Sequence, residues 1–494
     1  MSIVSQIKPR ISSIMKWYSL FLNPGKELIK NLQIRPRTTS DFRNFHKMTL
    51  IIIPLTLSLL LMVSSCGVKL ELPTASNDNP VFGAGDTSYI RVSPDWDASN
   101  GYDFSKPWDI IVGADGYVFV ADHNEPSIHV ISASGSEIIA DAYGNDFSAL
   151  AYLVDNYASP VYPAAIAQDN RLNLFIADSS NRLLVWNQYL NNVGIDSMAT
   201  SIQLSATTGD LIWVSDFDSI ATLQSEGWVI NNIEWSADNL IQWLNPHLFW
   251  DAGDSSEAIQ VARYFVDPDS VRLTGVSARG DQCLVADAHS NAILGLAYVP
   301  AALLMTSLGD EILVYRGTMT ERTVSTGTGN GTVNAPKGLA HGPSGALFYT
   351  QWGENFSVHK VGGSSGFEYG EHDIMEIERY DHASDISLDA IGNIYVADTG
   401  HDKIQQFSSN GKFAFNIGIS RVLVDSTITD SALVGSDYEI IQRDTSYQVE
   451  VADILRAPRS VAVDGRGIVY IADTQNNRVM RYRLSTELDY GAEN

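Results

Sequence analysis

The chain has 494 residues, of which 45% are hydrophobic and 18% are charged. This balance excludes a wholly disordered protein and allows one large globular domain or two to three small ones. Nine of the 32 Lys and Arg residues lie in residues 1–47 with two of the 58 acidic residues, which leaves 23 basic and 56 acidic side chains and a net charge of −33 in the rest. So acidic a body repels phosphate backbones, and we expect no nucleic-acid partner. The acidity suits a solvated surface, with divalent cation binding as the alternative.

Residues 48–67, MTLIIIPLTLSLLLMVSSCG, contain no charged side chain and follow the basic segment 1–47. The apolar part is short for a membrane span and ends in small residues, which is typical of a secretory signal. Its last residues, Val63 to Cys66, resemble the bacterial lipobox. That resemblance implies that Cys66 is acylated, begins the mature chain and holds it on a membrane without a transmembrane span.

Two alternatives remain for this segment. It can be an uncleaved signal anchor, or the long leader can reflect a start placed too early, with Met15 or Met48 as the true start. In the lipoprotein reading, Gly67 implies sorting to the outer membrane. We therefore expect a lipid-anchored protein of the cell envelope, on either its periplasmic or its surface face.

A short motif recurs six times along the rest of the chain, as an apolar run that ends at a polar anchor residue. The anchors are Asp122, Asp178, Asp287, Gln351, Asp398 and Asp473. Four units have a proline fifteen residues before the anchor (Pro107, Pro163, Pro336, Pro458), and four have a glycine six residues before it (Gly116, Gly345, Gly392, Gly467). Four have a β-branched aliphatic residue six positions after it (Ile128, Ile293, Ile404, Val479). Repeats of this kind stack to bury a shared core.

Each conserved offset has a mechanical meaning. Proline begins a strand but cannot lie inside a central ladder, and glycine permits a tight turn between two strands. An aspartate side chain accepts hydrogen bonds from backbone N–H groups of the next turn. The unit therefore predicts three antiparallel strands and a variable fourth, such as SEIIADAYG at 136–144, which is one blade of a β-propeller.

The segment APRSVAVDGRGIVYIADTQNNRVMRY, residues 457–482, resembles the NHL-repeat family almost throughout. The resemblance covers roughly residues 100 to 486 and implies an all-β, six-bladed propeller. Seven blades are the alternative, because GDLIWVSD at 209–216 faintly resembles a strand and anchor. The family includes adhesive, scaffolding and enzymatic members, so the resemblance does not imply a reaction.

The expected domain order follows from these segments. After the basic extension 1–47 and the signal 48–65 come a tether at 66–86, the propeller at 87–486 and a tail at 487–494. Insertions are expected at about 191–270 and 420–450. The first is rich in tryptophan and partly helical, with a short helix that starts at Ser236 or Asp238 and stops before Pro246. The second predicts a hairpin over one rim.

Two sets of residues are candidates for binding. Four tryptophans of the first insertion, Trp228, Trp235, Trp243 and Trp250, either contact a protein or glycan partner or form the insertion's own core. Three histidines lie in the anchor turns of alternate units: His123, His289 and His401. Three converging imidazoles would make a zinc site like that of peptidyl-amidoglycolate lyase, a propeller of the same family. Their unequal offsets from the anchors favour solvated histidines instead.

The sequence contains no other catalytic constellation that we could recognise. A lactonase-like calcium site in the axial channel stays open as an alternative. His341, in a channel strand, is interpreted as a satisfied core residue, and Cys283 as a buried small hydrophobe. We accordingly predict a non-catalytic, envelope-anchored propeller that needs no cofactor and binds a protein or a glycan. The alternative is a metal-dependent lyase or hydrolase that uses zinc or calcium.

The last repeat supplies three strands before the polar tail, whereas a closed blade needs four. The segment TSYIRVSP, residues 87–94, alternates as a strand should. We predict that it pairs with NRVMRYRL, residues 477–484, so that both ends of the propeller share one blade.

Overall fold

The structure, a computed structural model, describes residues 88–140, 144–204, 211–214, 217–230, 237–251, 271–324, 333–353, 356–362, 367, 373–434 and 437–485. Its strands are β1 (Tyr89–Arg91), β2 (Pro107–Val112), β3 (Val118–Asp122), β4 (Ser127–Ile131), β5 (Pro163–Gln168), β6 (Asn173–Asp178), β7 (Arg182–Asn187), β8 (Ile195–Leu204), β9 (Leu211–Val214), β10 (Trp228–Ile230), β11 (His247–Asp251), β12 (Leu273–Arg279), β13 (Gln282–Asp287), β14 (Ala292–Thr306), β15 (Glu311–Val324), β16 (Pro336–His341), β17 (Leu347–Gln351), β18 (Val358–Val361), β19 (Ala383–Leu388), β20 (Ile394–Asp398), β21 (Lys403–Phe407), β22 (Phe413–Ile417), β23 (Ile419–Val434), β24 (Asp437–Ile454), β25 (Pro458–Val463), β26 (Val469–Asp473) and β27 (Arg478–Leu484). The α-helices are short: α1 (Ser148–Ala151), α2 (Gln188–Val193), α3 (Phe217–Ser225) and α4 (Ala237–Gln242).

Six antiparallel sheets surround one axis. Their inner, middle and third strands are β2-β3-β4, β5-β6-β7, β12-β13-β14, β16-β17-β18, β19-β20-β21 and β25-β26-β27, which we number sheets 1 to 6. The six inner strands contact each other in chain order, and β25 returns to β2. The predicted all-β propeller fold is thereby confirmed.

The repeat offsets of the sequence become cross-strand pairs. The residue that begins each inner strand lies opposite the anchor, as in Pro107↔Asp122 and Pro458↔Asp473, and a register shift follows at once in all six sheets. We call the end of the axis where the inner strands begin and the anchor turns lie the mouth, and the opposite end the far end. The register shift, a β-bulge, re-aims the next side chains of each inner strand.

Apolar side chains on both faces of the middle strands form the core between the sheets. The segment VFVAD of β3 is buried at every position, as is VYIAD of β26. Because each sheet packs on two neighbours, both faces are covered and the strands read as continuous apolar runs. Neighbouring inner strands approach so closely that a Cβ on Gly275 would lie 1.9 Å from the Lys337 carbonyl oxygen. Glycine is therefore required there.

The predicted closure between the two ends of the propeller is confirmed. Strand β1 pairs antiparallel with β27, with Tyr89 opposite Leu484 and Arg91 opposite Tyr482. Trp96 then bridges to Val479 and stacks on Tyr102. The first described strand thus completes sheet 6 and covers an edge that would otherwise be exposed.

The tryptophan-rich insertion completes one sheet and extends another. Strand β11, within the predicted insertion, is the outer strand of sheet 2, while β9 and β10 each pair with β8, and β8 pairs with the end of β14. Strand β9, which is the LIWV of GDLIWVSD, therefore belongs to the insertion and not to an axial sheet. Helix α4 ends before Pro246 as predicted.

The two long excursions leave from opposite ends of the axis. Ala297 of β14 pairs with Gln282, the first residue of β13, and β14 continues beyond that pair. This extension and the strand β8 that pairs with it therefore lie at the far end. Strands β23 and β24 form the predicted hairpin, which begins beside Ile417 at the mouth and returns there, where the Leu455 N–H donates to the Gly418 carbonyl at 3.3 Å. The hairpin therefore rises from the rim of the mouth.

One expected strand is not regular. In SEIIADAYG, the described residues make isolated bridges, Ile131↔Glu137 and Ala140↔Asp146, and sheet 1 has three strands in the described part of the chain. Two acidic residues and a glycine within nine positions provide too few buried side chains to hold an outer strand. No helix within the described ranges is long and apolar enough to cross a membrane.

Candidate functional site at the axial mouth

A cavity of about 290 Å³ runs along the axis and is lined by the inner strands of all six sheets. At its mouth, the outermost ring of lining residues consists of the residue after the strand start in five sheets: Trp108, Ala164, Thr274, Ser384 and Arg459. Lys337 has this position in sheet 4 but lies beside the cavity and does not line it. The next ring consists of Asp109, Ala165, Gly275, Gly338, Asp385 and Ser460. Sheets 5, 6 and 1 thus provide polar groups in this second ring, and sheets 2, 3 and 4 provide small residues.

Two tryptophan rings hold cations at the mouth. The Arg459 guanidinium lies 3.6 Å from the ring centre of Trp108 and 5.5 Å from that of Trp352. The Lys337 ammonium lies 4.2 Å from the Trp352 ring and that of Lys106 lies 4.6 Å from Trp108. Aromatic faces attract cations and contribute about 0.5–2 kcal/mol to each such contact. We call Lys106, Arg272, Lys337 and Arg459 the cationic cluster.

Two members of this cluster are strongly desolvated. Lys337 is 7% exposed, and its burial together with the charges of Arg272 and Arg459 lowers its pKa to about 8. Burial lowers the pKa of Arg459 to about 10, although the nearby Asp109 and Asp385 oppose that shift. Neither cation has a carboxylate oxygen within 4 Å among the described residues. Such cations are costly to bury and favour an incoming anion.

Behind the cations, one serine joins two aspartates. The Ser460 hydroxyl oxygen is 2.7 Å from Asp109 Oδ1 and 2.6 Å from Asp385 Oδ2. A hydroxyl carries one proton and can donate to one of them, so the second short contact requires a proton on the other carboxyl group.

The electrostatics agree with a shared proton. Burial, and then the charge of Asp109, raise the pKa of Asp385 to about 7. Burial also raises the pKa of Asp109, although the backbone N–H groups of Ile166 at 2.7 Å and Ile110 at 2.9 Å donate to it and favour its charged form. The pair therefore holds one shared proton that is lost as the pH rises through about 7.

The three candidate histidines occupy separate turns. His123 stacks on Trp108 with its ring centre 4.4 Å away, and its Nδ1 lies 3.1 Å from the Pro163 carbonyl oxygen. His401 Nδ1 contacts its own anchor, Asp398, at 2.8 Å. The backbone N–H of His289 donates to Asp287. Within the described ranges, no group of three His, Cys, Asp or Glu side chains is arranged to hold a metal ion.

The three candidate tryptophans that the structure describes do not meet at the mouth. Trp250 is 2% exposed in the core between sheets 2 and 3, and Trp243 packs on His247 at the edge of a small core with Leu190 and Met198. Trp228 is half-buried on β10, and Trp235 lies outside the described residues. Their role in binding stays a prediction.

The anchors hold the loops that enter the inner strands. Asp122 is fully buried and accepts from the backbone N–H groups of Ser105 at 2.6 Å and Asn124 at 3.0 Å. Gln351 replaces aspartate by accepting from the Asn334 N–H at 2.9 Å and donating to the Phe356 carbonyl at 2.8 Å. Burial raises the pKa of Asp178, Asp398 and Asp473.

Two further sequence interpretations concern residues of inner and middle strands. Cys283 is fully buried in β13, as expected of a small hydrophobe, and burial raises the pKa of its thiol. His341 is half-buried and lines the cavity, with Nδ1 at 2.7 Å from the Ser277 hydroxyl. The expected core residue is thus satisfied by a hydrogen bond but borders the channel, because its β-strand position faces the axis.

The sequence analysis missed the residues that make up the mouth. Trp108, Lys337 and Arg459 each directly follow a strand-starting proline, and Trp352 directly follows an anchor. Their fixed positions relative to the repeat are the sequence signal by which these residues could have been identified. Chemically, the arrangement offers fixed cations for an anion, aromatic rings and carboxyl acceptors around one cavity.

Comparison with known proteins places these features in context. No protein-family model matches the chain. It is 28% identical over 132 residues to the protein brain tumor of Drosophila melanogaster, a match that covers 23% of this chain and 12% of that protein. It is 27% identical over 133 residues to the B-box type zinc finger protein ncl-1 of Caenorhabditis elegans, covering 24% and 16%. The chain thus spans less than a fifth of either relative.

Solved structures with similar folds are propeller-type proteins. A protein of unknown function from Bacteroides thetaiotaomicron has a TM-score of 0.39 at 11% identity, over 81% of this chain and 76% of that one. An inactive virginiamycin B lyase from Staphylococcus aureus, solved with quinupristin, has a TM-score of 0.33 at 10% identity, over 81% and 99%. The PQQ-bound aldose sugar dehydrogenase of Streptomyces coelicolor has a TM-score of 0.34 at 11% identity, over 81% and 99%.

Proposed function

We propose that the protein is a non-catalytic binding propeller of the NHL-repeat type that takes its ligand at the axial mouth. In this proposal lipid on Cys66 holds the protein in the cell envelope, and the ligand belongs to an envelope glycan or protein. The observation that carries the proposal is the mouth itself: desolvated Lys337 and Arg459 rest on exposed or half-buried tryptophan rings beside an open cavity.

The mouth is a more suitable place for binding than the tryptophan-rich insertion. Trp352 is 36% exposed at the mouth, whereas Trp250 of the insertion is 2% exposed. Aromatic and arginine side chains that are partly desolvated in the free protein are the usual centres of binding energy. A rigid ring of sheets also fixes these groups before the ligand arrives, which lowers the entropic cost of binding.

A plug of the mouth tests this function. Ala164 is half-buried in the outermost ring of the cavity, so Ala164→Trp places an indole where the ligand would enter. Ala114→Trp introduces the same side chain at an exposed position of the far end. Binding of full-length protein to isolated envelope glycan and envelope protein fractions is measured by surface plasmon resonance.

We expect Ala164→Trp to abolish binding and Ala114→Trp to retain it. Equal binding by both variants would contradict a ligand site at the mouth. Metal analysis of the purified protein addresses the alternative function. A stoichiometric ion that stays bound through purification would favour a metal-dependent lyase or hydrolase.

A further inference from the structure

Three largely buried arginines of the protein contact carboxylates: Arg182, Arg379 and Arg478 have carboxylate oxygens at 2.6, 2.9 and 2.6 Å respectively. Lys337 and Arg459 have no salt bridge among the described residues and lie on tryptophan rings instead. Arg481 likewise lies on a ring, that of Trp96 at 4.6 Å, and is 8% exposed. Asp109 and Asp385 act on Arg459 through their charges without such a contact. The two cations of the mouth are thus incompletely neutralised by the described residues, which leaves them able to bind an anion.

The cationic cluster brings four basic side chains to the mouth. The charges of Arg272 and Arg459 act on Lys337, and the His382 ring lies 4.8 Å from the Trp352 ring that Lys337 contacts. Asp109 and Asp385 oppose these charges, while His382 pairs with Asp381. In a cavity with low-dielectric walls, desolvated cations attract anions more strongly than they would at an open surface.

The second ring of the cavity supplies a different kind of contact. Asp109, Asp385 and Ser460 present oxygen atoms on one side, next to the cations. Ala165, Gly275 and Gly338 line the other side, where the two glycines lie against the backbone of the neighbouring inner strands. Carboxyl oxygens with spare lone pairs accept hydrogen bonds from hydroxyl groups. The cavity therefore offers cations for an acidic group and acceptors for hydroxyls within one small space.

We propose that the mouth binds a carboxylate-bearing sugar residue of an envelope glycan, with the carboxylate on Lys337 and Arg459 and ring hydroxyls donating to Asp109 and Asp385. This inference rests on the proposed function, of which it names the ligand class. A guanidinium and an ammonium together match a carboxylate well, the first through its planar fork and the second as a point charge.

The cavity size and the acceptors favour a sugar over a peptide. Its volume of about 290 Å³ lies at the lower end of ligand pockets, which span roughly 300–1,000 Å³, and suits one ring rather than several side chains. A sugar brings several hydroxyl donors on adjacent carbons, whereas the end of a peptide brings few donors beyond its backbone amide. The peptide is therefore an outcome of the test and not part of the proposal.

The test compares matched ligands that differ in one group. Full-length protein in detergent is titrated calorimetrically with a digalacturonate, with the corresponding neutral galactose disaccharide, with inorganic phosphate and with a peptide that ends in a free carboxylate. We expect the digalacturonate to bind at least tenfold more tightly than the neutral disaccharide. Tighter binding of the peptide or of phosphate than of the digalacturonate would overturn the assignment to an acidic sugar.

Charge-removing variants locate the carboxylate. Lys337→Met and Arg459→Met should each weaken digalacturonate binding by about tenfold to a hundredfold, as the loss of a charged hydrogen bond does. Lys412→Met removes the same charge at an exposed position of the far end and should leave binding unchanged. Lys337→Met and Lys412→Met lower the net charge of the protein equally. A difference in digalacturonate affinity between them therefore does not come from long-range attraction between the protein and the ligand.

The pH dependence gives a second readout that a structural role of Lys337 would not produce. Because burial and the neighbouring Arg272 and Arg459 lower the pKa of Lys337 to about 8, its charge is lost as the pH rises through that value. Digalacturonate affinity of the unaltered protein should fall above about pH 8, while that of Lys337→Met should stay level. Asp385 also borders the mouth, and its pKa of about 7 places most of its titration below that range.

The two levels of the proposal fail in different ways. If Ala164→Trp blocks the capture of envelope material but the charged and neutral disaccharides bind equally, the acidic-sugar inference is wrong and the mouth remains the ligand site. If Ala164→Trp has no effect on capture, the proposed function fails as well. Unchanged digalacturonate affinity in both Lys337→Met and Arg459→Met would contradict the inference even when the plug blocks binding.

Discussion

At the scale of single residues, Ser460 and its two aspartates show how the ring of inner strands is joined. They come from sheets 6, 1 and 5, so one hydroxyl links three neighbouring strands. Such a network is stable when each member has a partner, and it needs one carboxyl proton to achieve that. The protonation of Asp385 is therefore part of the folded structure as well as of the candidate site.

This pair predicts a pH-dependent stability. The pKa of Asp385 is about 7 in the folded protein because of burial and the charge of Asp109, whereas in an unfolded chain it is about 3.9. The folded state binds the extra proton between these values, so stability should fall as the pH rises across that window. Asp385→Asn, whose amide can donate to Ser460, should remove this loss and stabilise the protein by about 1–3 kcal/mol at pH 8.

Chemical denaturation at pH 5 and pH 8 measures the difference. Asp103→Asn, at an exposed carboxylate, is the control and should follow the unaltered protein. If Asp385→Asn loses as much stability between the two pH values as the unaltered protein does, the shared proton is not present.

At the scale of elements, the β23–β24 hairpin is an attachment to a complete propeller. Its ends meet at the Gly418 carbonyl and the Leu455 N–H, 3.3 Å apart, and no third strand joins it within the described ranges. A two-stranded hairpin contributes little stability by itself. The sheets on either side keep their own strands and cores without it.

Removal of the hairpin should therefore be tolerated. Replacing residues 419–454 with a two-residue Gly-Asn turn should change the free energy of unfolding by no more than about 1 kcal/mol, since a short loop replaces a long one at a small entropic difference. Circular dichroism and urea denaturation check this. The control is a variant in which the same number of polar residues is inserted at the hairpin tip. If the control folds normally and the deletion variant does not, the hairpin holds sheets 5 and 6 together.

Strand β1 should behave in the opposite way. It covers the outer edge of sheet 6 by pairing with β27, so a chain that starts at residue 95 exposes that edge to solvent and to other chains. We expect this truncation to lower stability by about 1–3 kcal/mol through lost ladder hydrogen bonds, and to promote association. A chain that starts at residue 87 keeps β1 and is the control. Light scattering and urea denaturation distinguish the two, and identical behaviour would refute the role of closure.

At the scale of the whole molecule, the propeller gives the protein two distinct ends. The mouth carries the cationic cluster and the β23–β24 hairpin, and the far end carries the extension of β14 with the paired strand β8. The cationic cluster concentrates basic side chains at one place on an acidic body, which is where we expect an anionic ligand to bind. Closure of the ring keeps that mouth rigid, because each sheet packs on two others.

The proposed anchorage of the whole molecule depends on Cys66, which lies outside the described residues. Mass spectrometry of the membrane fraction should find a mature chain that begins with an acylated Cys66, and Cys66→Ala should prevent that processing. Ser65→Ala keeps a small residue before the cysteine and is the control. A soluble protein that retains residues 48–65 would contradict the prediction.

The sequence by itself determined the repeating unit and its register. Each residue type at a fixed offset acts locally. Proline begins a strand, glycine permits a turn, aspartate caps the next turn, and the aliphatic residue is buried on one face of its strand. Such local preferences survive in any tertiary context, and so the pairing of Pro107 with Asp122 could be expected. Closure by residues 89–91 and the hairpin followed from the same alternation and from the need to cover an edge.

Only the tertiary structure decided which side chains meet on the axis. Trp108, Lys337, Trp352 and Arg459 come from three different sheets and as many as 351 positions apart, yet they form one cluster. Their meeting depends on the ring closing and on the β-bulge that re-aims each strand start, neither of which a local pattern encodes. Trp243 and Trp250 are close together in sequence but lie in separate cores. The sheets that pack against each of them decide where it is buried.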